Sequence, residues 1–542
     1  MARTGTVSAD GWAPTPDGDG PGPGATRGRH RPWVLWGLSV AVAALLAVPL
    51  VYLVAEAASS GWSVTARLVF RSFTFELVWN TVRLSVAVTA CCAVIGTATA
   101  WLIERTDLPA RRLWAVLVVV PVAIPDFVVG FGWVSVAPAV HGFLGALLVM
   151  TLALYPLVYL PVAAAFRGAD PGQEEVARSL GLGRMATFRR VTLDQARTAL
   201  LGGCVLVSLA LLAEYGAFEI LRYQTLTTEI FFESQRSYDI PVASSLSLIL
   251  VVLSLVVLGG DAAARNRGRI TRSTRSARAG TLHRLGRIAI PATLGLVVLV
   301  VLALGVPMGV IAYWLADPGT TTLPATTTLI GAALTTAGYA AGAGVLATIL
   351  ALPVALLAVR HPRRSTRALE RSTFIVQAVP GLVIALALVY FSVRALRPFY
   401  ESTPLLILGY GIMFFPLALV AVRTSVAQAP LAFEEVARSL GRRPPAVWWR
   451  IVLPLIGPGL AAAFSLVFLS TVTELTLTLV MIPTGVQTLA TQFWAFSTNL
   501  SYGAAAPYAA VMIGIAVVPS SVLGRWFDRL PARRAPDPRD PS

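Results

Sequence analysis

Of the 542 residues, 56% are hydrophobic and only 13% are charged, about half the charged fraction of a soluble protein. That excludes a water-soluble enzyme or binding module and points to an all-α polytopic membrane protein. The net charge is +16 and every one of the 43 basic residues is arginine; no arginine cluster sits beside interleaved aromatics, so this charge belongs to loops held on one side of a membrane and not to nucleic acid.

In chain order, residues 1–32 are rich in Pro, Gly, Asp and Thr and read as a disordered tail. A window of roughly 20 apolar residues per crossing then predicts twelve spans, at 33–54, 81–103, 113–136, 142–165, 199–221, 241–260, 288–315, 329–359, 373–395, 404–424, 459–482 and 507–524. Prolines 121, 125 and 138 interrupt the third and fourth regions, where a membrane helix tolerates them only if neighbours satisfy the freed carbonyls. Cys91, Cys92 and Cys204 lie inside apolar runs, and the four histidines are scattered. Neither a disulfide framework nor a metal-ligand spacing results.

Arginine placement sets the orientation. With the N-terminus inside, Arg105, Arg111 and Arg112, the basic stretch 261–287, Arg360 to Arg371 and the tail 525–542 all fall on the cytoplasmic side, whereas the other loops hold few arginines. Both termini are therefore expected in the cytoplasm.

The chain also repeats itself. Residues 174–181 and 434–441 both read Glu-Glu-Val-Ala-Arg-Ser-Leu-Gly, and Tyr155-Pro156-Leu157 matches Phe415-Pro416-Leu417 at the same offset of 260. Pro125 matches Pro380 at 255. The predicted organisation is two parallel six-helix halves, 33–260 and 288–524, joined by the basic linker 261–287. Each octapeptide lies in a polar island, about 170–196 and 430–458, between apolar spans. Read as a short helix, it carries carboxylates in its first turn (Glu174 and Glu175; Glu434 and Glu435), a small residue (Ala177; Ala437) and a glycine (Gly181; Gly441) that lets the chain leave with positive φ. A second amphipathic stretch follows and is expected to end at Leu453-Pro454. A pair of ordinary capped loops explains one copy, but poorly explains eight identical residues kept twice.

This pattern resembles the EAA loop of binding-protein-dependent ABC importer permeases. The matching residues are Glu435, Ala437, Gly441, Ile451, Leu453 and Pro454 in the second half, and Glu175, Ala177, Gly181, Val191 and Leu193 in the first. Asp194 stands where the family has Pro, so the first element is expected to end differently. The resemblance implies that each loop is a coupling helix seated on one subunit of a cytoplasmic ATPase dimer, and that an extracytoplasmic binding protein delivers the substrate. The chain has no Gly-rich phosphate loop. It is expected to bind no cofactor and to leave ATP hydrolysis to its partner, in a bacterial plasma membrane. The fused layout and the Trp79-Asn80-Thr81 opening of the second span look like ferric-iron permeases; thiamine and phosphonate importers share the plan. A twelve-span secondary transporter has the same shape but no reason to duplicate a docking loop.

Ionisable groups inside the bilayer are functional candidates. Glu214 and Glu474, again 260 apart, fall about 15 residues into the fifth and eleventh spans and would suit a cation facing a pseudo-two-fold axis; the plainer role is packing against a neighbouring polar group. Asp126, after Pro125, faces Gly381 in the repeat and joins the candidates for the pathway, with a helix-break role as its alternative.

Overall fold

A computed structural model describes residues 33–59, 67, 70–235, 240–267, 282–319 and 322–529. The tails 1–32 and 530–542 and most of the linker, 268–281, lie outside the described residues. The fold is all-α; the one bridge among the described residues pairs Thr106 with His283.

The first half runs α1 (Trp33–Ser59), α2 (Ser72–Arg105), α3 (Arg111–Leu117), α4 (Asp126–Val136), α5 (Gly142–Arg167), α6 (Pro171–Ser179), α7 (Leu193–Ala213), α8 (Gly216–Ile220), α9 (Leu226–Gln235) and α10 (Ile240–Arg267). The second half repeats it: α11 (Ala289–Val300) and α12 (Val306–Ala316), α13 (Thr326–Arg360), α14 (Arg364–Thr373), α15 (Gly381–Ala395), α16 (Thr403–Met413) and α17 (Phe415–Gln428), α18 (Leu431–Ser439), α19 (Leu453–Val472), α20 (Thr476–Met481), α21 (Leu489–Thr498) and α22 (Tyr502–Arg529). Helices α2, α5 and α7 pack as a triad, as do α13, α17 and α19.

The first helix of each half packs against the other half. Helix α1 lies on α13 and α15, and α12 lies on α4. Glu56, buried near the end of α1, accepts two hydrogen bonds from Arg394 at the end of α15, at 2.6 and 3.1 Å. Both core clusters draw residues from both halves, so neither half encloses its own core. Outward positions such as Val86, Val94, Leu144, Ile330 and Ile349 are exposed and apolar, the surface a lipid-facing helix requires.

Among the described residues, eight helices are long and apolar enough to span a membrane, and up to eleven spans result if each of three bent pairs counts once. The twelve expected spans are thus not all continuous helices. The expected span 113–136 is bent by 95° between Ala123 and Asp126, and 373–395 by 99° between Ala378 and Gly381. The cause is local: Ile124 and Val379 precede prolines, which disfavour helical backbone, and both are extended (ψ 124° and 113°). The span 404–424 bends by 59° at Phe414, just before Pro416, whereas α5 carries Pro156 and Pro161 without a break. The last expected span, 507–524, lies in α22. The fifth and eleventh expected spans stop early, at Ala213 and Val472.

Candidate functional site

Two sites stand out. The first is the pair of repeated loops. Helices α6 and α18 are nine residues each and end alike. Gly181 has φ +85° and Gly441 φ +75°. Gly181 N–H donates to Arg178 O and Leu182 N–H to Ala177 O; Gly441 donates to Arg438 O and Arg442 to Ala437 O, all at 2.9–3.1 Å. This paired closure satisfies the last carbonyls only if the turn residue is left-handed. A Cβ on either glycine would meet nothing within 4 Å, so substitution strains the backbone and does not clash.

The first glutamate of each pair points inward. Glu174, 6% exposed, ion-pairs with Arg105 at the end of α2, accepts from the Thr192 hydroxyl at 2.8 Å, and lies 3.7 Å from the His283 imidazole. Glu434, 5% exposed, pairs with Arg360 at the end of α13 at 2.5 Å and with Arg438 at 3.2 Å. Ala177 and Ala437 are buried beside them. Glu175 and Glu435 face outward, together with Val176, Leu180 and Met185 in the first copy and Val436 and Leu440 in the second. Each loop therefore presents exposed apolar and acidic surface on a buried ionic brace. Partial burial, then the Arg363 and Arg360 charges, hold the His361 imidazole below its ordinary value.

The two copies differ less than the sequence suggested. In both, the chain passes through a π-helical turn, Phe188–Thr192 and Trp448–Val452, and runs straight on into α7 or α19. Pro454 therefore does not end the element; it lies in the first turn of α19, and Asp194 in that of α7. The linker adds one asymmetry. His283 N–H donates to Arg105 O, Asp107 N–H to His283 O, and Leu285 N–H to the Asp107 carboxylate at 2.8 Å. The His283 ring also stacks on Trp101.

Replacing Gly181 or Gly441 with valine should impose about 1–2 kcal/mol of left-handed strain and misdirect the outward face. The expected result is normal membrane insertion with reduced co-purification of any docked subunit, and milder loss with asparagine. Unchanged retention in both valine variants would remove the glycines from the docking geometry.

The second site lies at the centre. Glu214 and Glu474 are not mid-helix, as the sequence suggested, but sit at breaks after α7 and α19. Each carboxylate accepts a backbone N–H three residues on: Ala217 to Glu214 Oε1 at 2.7 Å, Leu477 to Glu474 Oε1 at 3.0 Å. Each thus caps the short helix that follows, α8 or α20, where irregular backbone inside a membrane protein needs such a partner. The backbone carbonyls of the two glutamates accept from Thr227 and Thr478, both at 2.7 Å. Asp126, the first residue of α4 after its own break, joins both glutamates in lining one cavity of about 320 Å³, with Ser470 and Thr473. Among the described residues no group of three acidic, histidine or cysteine side chains is close enough to hold a metal ion. Three carboxyl groups thus share one chamber.

Reading the sequence missed the partners of these groups. Arg105 and Arg360 were visible only as loop charges; their offset of 255, shared with the Pro125–Pro380 pair, was the available signal. Thr81 and Thr336, also 255 apart, accept the N–H of Leu226 and Leu489 at 3.0 and 2.9 Å and pin the starts of α9 and α21 to the long helices.

The model of binding-protein-dependent transport system inner membrane components matches residues 93–266 and 343–535, which include both loops and all three cavity carboxylates. The Fe(3+)-transport system permease protein FbpB 2 of Haemophilus influenzae is 34% identical over 92% of this chain and 99% of that protein. The ferric transport system permease protein FbpB of Actinobacillus pleuropneumoniae is 23% identical over 82% of this chain and 70% of its own length. The sulfate transport system permease protein CysW of Escherichia coli is 26% identical over 42% of this chain and 85% of its own length. By a match to each half and full-length similarity to one such permease, the chain belongs to the family of binding-protein-dependent transport system inner membrane components.

Proposed function

We propose that this chain is the complete membrane pathway of a ferric-iron ABC importer. An extracytoplasmic binding protein delivers iron, and two copies of a separate ATPase dock on the surfaces around Glu175 and Glu435. ATP is bound and hydrolysed by that partner. The observation that carries the cation reading is the convergence of Asp126, Glu214 and Glu474 on one chamber. An oxyanion such as sulfate would be repelled there, although permeases named for sulfate resemble parts of the chain. Oxygen ligands of this kind suit a hard cation. Full-length similarity to a permease named for Fe(3+) supports the same choice.

The test is reconstitution in proteoliposomes with the cognate binding protein and ATPase. ATP-dependent uptake of radiolabelled ferric iron is expected. Uptake of sulfate but not iron would sink the proposal.

The proposed orientation puts the repeated loops and both termini in the cytoplasm. A cysteine at Asp317 should then react with an impermeant thiol reagent in intact cells, and one at Ser439 should react only after lysis. Both are exposed, and Cys92 is buried in the bundle. The opposite pattern would invert the topology.

A further inference from the structure

The central chamber is not symmetric, and the internal repeat shows where the symmetry fails. Beside it lies a smaller cavity of about 120 Å³, lined in part by Ser254, Gln377, Gly381, Met413 and Phe414. At offset 255, Val122, Pro125 and Asp126 correspond to Gln377, Pro380 and Gly381; at offset 260, Ala153, Leu154 and Leu157 correspond to Met413, Phe414 and Leu417. The first set of each pair lines the large chamber and the second set lines the small cavity. The two spaces are thus equivalent arms of the two halves, one joined to the carboxylates and one cut off.

Met413 and Phe414 line both cavities and form the wall between them. Met413 fills the second arm: its Sδ and Cε lie 2.8 Å from where a Gly381 Cβ would stand. Its counterpart in the first arm is Ala153, which leaves that space open. Charge follows the same division, because the open arm carries Asp126 and the closed arm has Gly381 in its place.

We infer that permeation is one-sided: the substrate leaves the central chamber along the first-half arm, past Asp126 and Ala153, while Met413 plugs the second-half arm. This rests on the cation-permease reading and specifies its route. A cation in a low-dielectric bundle needs a counter-charge along its path. Asp126 supplies one, whereas the second arm has Gly381 in its place, shares only Glu474, whose Oε1 lies 3.6 Å from where a Gly381 Cβ would stand, and is narrowed by Met413.

The test exchanges the arms. Ala153→Met should lower iron uptake at least about tenfold by narrowing the pore, and adding Met413→Ala with Gly381→Asp should restore uptake. Because Ala153→Met could misfold, Ala153→Cys in a background lacking Cys91, Cys92 and Cys204 is the second variant. It should transport until modified by a bulky thiol reagent, whereas the same modification of Gln377→Cys, which lines the small cavity alone, should leave uptake in place. Val122→Cys should also react faster than Gln377→Cys with a water-soluble thiol reagent. Equal labelling, or block at Gln377→Cys and not at Ala153→Cys, would overturn the inference. Labelling asymmetry in a protein that moves no iron would leave the one-sided route standing and reject the cation reading instead.

Discussion

Removing both chamber glutamates as Glu214→Gln with Glu474→Gln is expected to cut iron uptake by more than tenfold while the ATPase still assembles. Glutamine keeps the Oε1 that accepts the Ala217 or Leu477 N–H, so the caps of α8 and α20 survive and only the charge is lost. Attraction between unit charges at about 4 Å is near 4 kcal/mol at an effective dielectric of 20, so two lost charges outweigh a tenfold change in rate. A single substitution should do less, because Asp126 and the other glutamate still line the chamber. Alanine variants would be less informative, since they also uncap the break. Wild-type uptake by the double glutamine variant would leave the carboxylates as capping groups alone.

The second large effect is expected at the brace beneath the first repeated loop. In Glu174→Ala, Arg105 loses its carboxylate while it remains 8% exposed. Truncating one partner of a buried pair costs about 3–5 kcal/mol, because the remaining charge is buried without compensation. The Thr192 hydroxyl loses its acceptor as well, and the His283 imidazole the carboxylate that lies 3.7 Å away. We expect a lower melting temperature in detergent and loss of ATPase co-purification. Glu174→Leu combined with Arg105→Met should recover most of the stability, since an apolar pair of similar volume leaves no charge behind. Equal instability of the single and double variants would assign the damage to packing and not to charge. Glu434→Ala should be milder, because its partners are less enclosed: the Arg360 side chain is 14% exposed and that of Arg438 is 60% exposed.

The linear order of residues determined the class, the duplication and the two repeated loops. Hydropathy depends only on composition over about 20 residues, and the repeated octapeptide carries its own carboxylates, small residue and turn glycine within eight positions. These are short-range properties, so the helix of each loop and its left-handed exit at Gly181 and Gly441 could be read directly. The bends at Pro125 and Pro380 were legible in part, since a proline restricts its predecessor whatever surrounds it.

Tertiary structure decided which glutamate of each pair turns inward. Glu174 and Glu175 are chemically identical, and the Arg105 guanidinium, brought by α2 from 69 residues away, together with the Thr192 hydroxyl separates them. It likewise placed Glu214 and Glu474 at helix breaks. No nearby proline or glycine run marks the end of α7 or α19; the chain stops there because the glutamate side chain can satisfy the next short helix in a packed interior. The packing of α1 on the opposite half, held by Glu56 and Arg394, depends on residues 338 apart. The convergence of Asp126 with the two glutamates spans the longest sequence separation of these relations, and the plugging of one arm by Met413 depends on the same packing. They arise from three-dimensional closure of two halves around one chamber, which no local pattern encodes.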